Sequence, residues 1–248
     1  MSRLFDKLAD GLKKAADNTG FSKAVLGLSG GVDSAVAAAI ACKALGADSV
    51  NLFYLPYNDI DPHGFSDAKA VADFFGASLI YMDITRIADP YFDSIINPTD
   101  RRRTNVLSRL RMLVLYDQSA LYNALVVGSA NKSEIMLGSI TLYGDTACAV
   151  NPLGNIYKTE VWELAKEIGF PDIILLKAQN TGLYNGATDD GEPFLYTEAD
   201  KLLLILETNG YSAEVAVKEG FQKEFAERVI KLIENSEFKR RASITLER

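Results

Sequence analysis

Cysteine, histidine and tryptophan are nearly absent from this chain: its 248 residues include two of the first and one each of the others. Cys42 and Cys148 are too few for a disulfide framework and are not spaced as a CxxC pair, which fits a reducing compartment and a cytoplasmic location. With His63 as the single histidine, a His-rich zinc site and a Ser-His-Asp triad are poor candidates. No run approaches eighteen consecutive apolar residues, and residues 1–18 mix charges throughout, so neither a membrane span nor a secretory leader is expected. Lys and Arg number 26 against 33 Asp and Glu, a net charge of −7, which argues against general nucleic-acid binding. What the chain does have is 48% hydrophobic and 24% charged residues, the mix of a globular protein with a proper core. No repeat, linker or low-complexity tract interrupts it, so residues 1–248 read as one domain.

Periodicity supplies the architecture. Leu4, Leu8 and Leu12 put an apolar face on a helix over 3–18. A short apolar run at 24–28 ends in Ser29-Gly30-Gly31, and the alanine-rich stretch 33–45 is helical. The order strand, glycine turn, helix then recurs: strand 50–55, helix 66–75, strand 78–84, a polar loop at 97–103, helix 105–122 and strand 125–128. Such alternation predicts a Rossmann-like, doubly wound α/β fold, a parallel sheet with helices on both faces. Further on, helices are predicted at 158–168, 197–209 and 212–235, a long surface loop at 179–193, and a basic tail at 238–241.

The richest stretch is Gly27-Leu28-Ser29-Gly30-Gly31-Val32-Asp33-Ser34. Adjacent glycines let the backbone N–H groups converge, and the helix that follows points its positive dipole end at the same spot, a cradle for phosphate oxygens. It lacks the Gly-Lys-Ser/Thr ending of the common nucleotide loop and the alternating glycines of the dinucleotide fingerprint. Asp33 in place of a lysine would repel phosphate unless a divalent cation intervened, so the turn predicts Mg²⁺. Glu134, just past a strand end, is a second carboxylate in reach of the same ion.

This turn resembles the pyrophosphate loop of the N-type ATP pyrophosphatases, which cleave ATP between its α and β phosphates and adenylate a substrate; their fold is adenine nucleotide alpha hydrolase-like. Asn105 to Met112, Gly128-Ser129-Ala130-Asn131-Lys132-Ser133-Glu134, Tyr143-Gly144-Asp145, Asn151-Pro152-Leu153, Lys158 and Phe238-Lys239-Arg240 follow in the order seen in the ammonia-dependent NAD synthetase family. The resemblance runs over nearly the whole chain.

The family likeness implies a ligase that adenylates the nicotinate carboxylate of deamido-NAD with ATP and transfers ammonia, giving NAD, AMP and pyrophosphate. It assigns ATP to Gly27 through Ser34, with Ser129, Lys158 and Asn180, and the metal to Asp33 and Glu134. It assigns deamido-NAD to Arg109, Leu142, Ala149 and Lys239, and it implies a homodimer. Arg109 and Arg111 lie two apart on a helix and cannot both face one site; the likeness gives the substrate to Arg109. Asp145 is the candidate proton acceptor for the incoming ammonia. The chain departs from the family pattern at Leu142 and Ala149, where many members carry Lys and Asp, and in Lys177 to Leu183, where Asn180 takes a hydroxyl position. Two alternatives stay open: another amide-forming pyrophosphatase, or a nucleotide-binding homologue that has lost turnover.

Overall fold

The computed structural model of the chain describes residues 3–58, 63–97, 99–175, 183–184 and 194–241. Four parallel strands, β1 (Ala24–Gly27), β2 (Val50–Tyr54), β3 (Ser78–Tyr81) and β4 (Leu125–Val126), form a sheet in the order β3-β2-β1-β4. Leu26 pairs with Leu52, Phe53 with Ile80 and Ala24 with Leu125. The neighbours of β1 are thus a strand later in the chain on each side, and the connections leave in opposite directions. At such a switch point the loops beyond the strand ends diverge and leave a crevice for a ligand.

Strand residues alternate between two cores, which is what burial on both faces demands. Ala24, Leu26, Val50 and Leu52 point into a cluster with α1 (Arg3–Thr19), α2 (Val32–Leu45), α3 (Gly64–Phe75) and α7 (Lys158–Ile168). Val25 and Phe53 point the other way, towards Val114 of α5 (Asp100–Tyr122) and Ile84, which precedes α4 (Thr85–Ser94). Helix α2 is apolar all round and buried, with Ala35 to Ala41 fully covered; its small side chains let α1, α7 and the sheet close on it from several sides. A third cluster joins α6 (Lys132–Leu137), α8 (Tyr196–Asn209), α9 (Ala213–Lys218) and α10 (Lys223–Asn235). A two-residue antiparallel pair, β5 (Leu183–Tyr184) with β6 (Phe194–Leu195), precedes α8.

The fold agrees with the sequence expectation of a doubly wound α/β sheet, and several element boundaries differ. Helix α5 begins at Asp100, because the Thr99 hydroxyl accepts from the Arg102 amide at 3.3 Å and caps it; the expected loop at 97–103 is largely its first turn. Helix α4 was not anticipated, since Pro90 sits inside it and proline argues against a helix interior. The expected helix 212–235 is two, broken at Gly220, whose φ of +92° no helix tolerates. Strand β3 ends at Tyr81, not at residue 84. The expected loop at 179–193 lies outside the described residues except for Leu183 and Tyr184.

Candidate active site

A cavity of about 650 Å³ opens beyond the C-terminal ends of β1, β2 and β4. Its first wall is the glycine turn. The Leu28 amide donates to the Phe53 carbonyl at 2.8 Å, the last sheet-like bond before the chain turns away. Gly30 takes φ +81°, and a Cβ there would come within 2.9 Å of both the Asp67 Cβ and the Gly64 carbonyl oxygen. Only glycine fits, on conformational and steric grounds together. Gly31 is the N-cap of α2 and offers no capping side chain, so the leading amides of a largely buried helix have no intrahelical acceptor and lie at the cavity mouth. Ser34 braces the turn: its hydroxyl donates to the Gly31 carbonyl at 2.9 Å, accepts from the Ser29 amide at 3.2 Å and lies 3.1 Å from the Ser29 hydroxyl.

Asp33 leaves the first turn of α2 and meets the end of β4. Its Oδ1 accepts from Asn131 Nδ2 at 2.9 Å, and its Oδ2 forms an ion pair with Lys158 Nζ at the start of α7. Asn131, fully buried, is also the N-cap of α6: its Oδ1 accepts from the Glu134 amide, and its own amide donates to Glu134 Oε2, both at 3.0 Å. One asparagine therefore joins the two carboxylates. Burial, and next the nearby charge of Asp33, push the Glu134 carboxyl up to about 8, with Lys158 opposing. The site resists holding both acids ionised with a single lysine for company. Among the described residues no set of three or more acidic, His or Cys side chains is grouped so as to hold a metal ion by itself. A cation held by one or two carboxylates and completed by water and phosphate oxygens is the one this donor set suits, which is the habit of Mg²⁺.

The opposite wall is built on α5. The Ser108 hydroxyl donates to Asp145 Oδ1 at 2.8 Å, and the Thr141 amide donates to Oδ2 at 2.8 Å. Thr141 in turn donates its hydroxyl to Asn105 Oδ1 at 2.8 Å. Gly144 makes this approach possible, since a Cβ there would lie 2.1 Å from the Ser108 hydroxyl. Arg111 lines the same wall, its Nε donating to the Leu55 carbonyl at 2.9 Å, and burial lowers its pKa while the charge of Asp145 raises it. Leu107, Met112 and Leu115 supply the apolar surface between the two ends.

Of the residues singled out in the sequence, Gly27, Leu28, Ser29, Gly31, Asp33, Ser34, Ser129, Glu134 and Asp145 line the cavity. Gly30 and Val32 shape the turn from behind, Val32 buried in the core. Lys158 reaches the site through Asp33. The four expected substrate residues are not on the cavity wall: exposed Arg109 donates Nε to the Leu142 carbonyl at 3.1 Å, Lys239 Nζ donates to the Gly138 carbonyl at 2.7 Å, and Ala149 pairs by its amide with Val126. Asn180 lies outside the described residues. The arginine that does face the cavity is Arg111. The run Arg101 to Arg103 stays local, with Arg102 on the Ile96 carbonyl and Arg103 4.7 Å over the Phe92 ring. Asn131 and Ser108 stand inside segments that carry the family likeness but were given no role. The spacing Asn131-x-x-Glu134 is a capping-box signature that could have revealed the first; nothing local marks Ser108.

A parallel sheet with its crevice at a switch point, a glycine nest at one strand end and paired carboxylates at the next define the adenine nucleotide alpha hydrolase-like class. A protein-family profile described as NAD synthase matches residues 4–243. The NH(3)-dependent NAD(+) synthetase of Trichlorobacter lovleyi is 42% identical over 226 residues, 91% of this chain and 83% of that protein. Its counterpart from Fusobacterium nucleatum is 38% identical over 242 residues, 97% and 94% of the two chains. Among solved structures, the NH3-dependent NAD synthetase from Campylobacter jejuni in complex with the nitrate ion superposes with a TM-score of 0.86 at 30% identity, covering all of both chains. The NMN synthetase from Francisella tularensis gives 0.78 at 28% identity over 98% and 97% of the two chains. The chain belongs to the NAD synthase family.

Proposed function

We propose that this chain is a carbon-nitrogen ligase that converts deamido-NAD, ATP and ammonia into NAD, AMP and pyrophosphate. The observation that carries the reading is the convergence of Asp33, Glu134, Asn131 and Lys158 on the uncapped N-terminus of α2. Triphosphate oxygens would lie on the amides of residues 31–34, with the hydroxyls of Ser29, Ser34 and Ser129 beside them. Asp33 and Glu134 would hold Mg²⁺, which would supply charge neutralisation to the phosphates.

In the first step an oxygen of the nicotinate carboxylate attacks the α-phosphorus, the bond to the bridging oxygen breaks, and pyrophosphate departs with the electron pair. The nest amides and Lys158 stabilise charge as it grows on that leaving group, and both are fixed before the reaction, where such donors are most effective. In the second step ammonia adds to the activated acyl carbon and AMP leaves. In this reading Asp145, held on both oxygens by Ser108 and Thr141, takes the proton. Neither cysteine suits glutamine cleavage: burial pushes the Cys42 thiol up to about 11 and raises that of Cys148, the opposite of an activated thiolate. Ammonia itself is the nitrogen donor.

Leu113, Tyr116 and Leu121 of α5, with Ile87 and Tyr91 of α4, leave a broad apolar face exposed. A second copy of the chain covers it in our reading, which would bring the exposed Arg109 against the partner's substrate. No described helix is long and apolar enough to cross a membrane, and we assign the activity to the cytoplasm.

Measuring pyrophosphate and AMP release with ATP, Mg²⁺, ammonium and deamido-NAD tests the assignment, with nicotinate mononucleotide as a parallel acceptor. Equal release of both products with deamido-NAD is the expected result. ATP binding without release, or turnover with the mononucleotide alone, overturns it.

A further inference from the structure

Asp200, early in α8, is a carboxylate only 5% exposed that lies apart from the cavity wall. Its Oδ1 accepts from the Ser133 hydroxyl at 2.5 Å, and its Oδ2 accepts from the Thr159 amide at 2.8 Å. The Ser133 oxygen, fully buried, also accepts from the Lys158 amide at 2.9 Å. These amides are the first two of α7, groups that a helix cannot satisfy internally. Ser133 stands one residue before Glu134 in the first turn of α6. A single buried acid therefore fastens together the two helix starts that deliver Lys158 and Glu134. One turn earlier in α8, the Tyr196 ring lies 5.6 Å from Lys158 Nζ, so the same helix also flanks the lysine side chain.

A buried carboxylate is an expensive way to join helices, since apolar contacts of equal volume would hold them as well or better. What it adds is direction: each of its bonds fixes the orientation of a helix start, and a displacement of about 1 Å at a reacting centre can cost 100-fold in rate. We propose that Asp200, acting through Ser133 and the Thr159 amide, is a positioning residue that sets Lys158 and Glu134 relative to each other at the phosphate end of the cavity. This rests on the reading of those two residues as parts of the active site.

The test uses the full chain carrying Ser133→Ala, Asp200→Asn or both, with Lys158→Ala as the control. Steady-state kinetics are followed alongside the emission of Trp162, the only tryptophan in the chain, which sits on α7 with its ring 6.2 Å from Tyr196. Each single variant is expected to lower kcat about 10- to 100-fold while KM for ATP moves less than about threefold. The double variant should fall no further than the worse single, and Trp162 emission should shift with the new setting of α7 on α8. Ser133→Ala removes so little that its fold should survive if Asp200→Asn does not. Variants that merely melt earlier while kcat stays within about twofold, or losses that multiply in the double variant, overturn the proposal. If Lys158→Ala keeps normal turnover, the reading of the site is what fails; if it is inactive while Ser133→Ala is normal, only the positioning role falls.

Discussion

At the proposed phosphate end of the cavity the lining groups are backbone amides and a carboxylate pair, set by short turns at the ends of β1 and β4. At the proposed acceptor end they are side chains of one long helix, α5: Ser108, held against a tight turn at Tyr143 and Gly144, and Arg111, bonded to the Leu55 carbonyl. The first end depends on where the main chain goes, and a single atom in the wrong place closes it. The second depends on side chains that can be exchanged without moving the backbone, so it is the end where substrate choice can vary.

The difference is sharpest at Asp33. Asp33→Asn is expected to reduce pyrophosphate release by about a thousandfold or more, with the circular dichroism of the fold retained; near-normal release would remove the carboxylate from the phosphate end. Gly30→Ala comes next, because its methyl would meet Asp67 and the Gly64 carbonyl at a φ of +81°. Strain of about 1–3 kcal/mol should appear in thermal unfolding, together with a loss of ATP affinity in calorimetry. An alanine variant that binds ATP normally would show that the turn is more pliant than its geometry implies.

The acceptor end is expected to respond differently. Ser108→Ala removes the donor to Asp145 and should raise KM for deamido-NAD about tenfold, leaving KM for ATP within about twofold. The reverse pattern would erase the distinction between the two ends.

The same contrast decides how much of the molecule could be read from its sequence. Alternating apolar strands and the Ser29-Gly30-Gly31 turn are local signals, and the sheet and nest follow from them. Glu134 is local too, eight residues past the end of β4 and in the first turn of α6. Ser108 and Arg111 become visible only when α5 is laid across the sheet, since nothing in their own neighbourhood says which face of the helix looks into the crevice. Helix α4 was hidden by Pro90, and the first turn of α5 by a charge run that Thr99 caps. Asp200 was invisible for the plainest reason: it is 67 residues from Ser133 and ordinary in its own helix.

The subtlest expected difference between the ends concerns protons. In the nucleotide-free protein Glu134 titrates near 8 against an ordinary 4.5, held up first by burial and then by Asp33. Between those values the folded chain keeps a proton that the unfolded chain has released. Stability from this group is therefore complete below about 4.5 and is lost as pH rises through about 8, where the carboxyl ionises in the fold as well. Thermal unfolding of the nucleotide-free protein should show a fall in Tm over this range that Glu134→Gln lacks, a difference on the order of 5 °C. Adding Mg²⁺ and ATP at pH 8 should restore stability to the wild type more than to the Gln variant, because only an ionised carboxylate gains from a cation. Parallel pH profiles for the two proteins would mean that Glu134 is not isolated beside Asp33, and the acid pair would no longer set the phosphate end apart from the acceptor end.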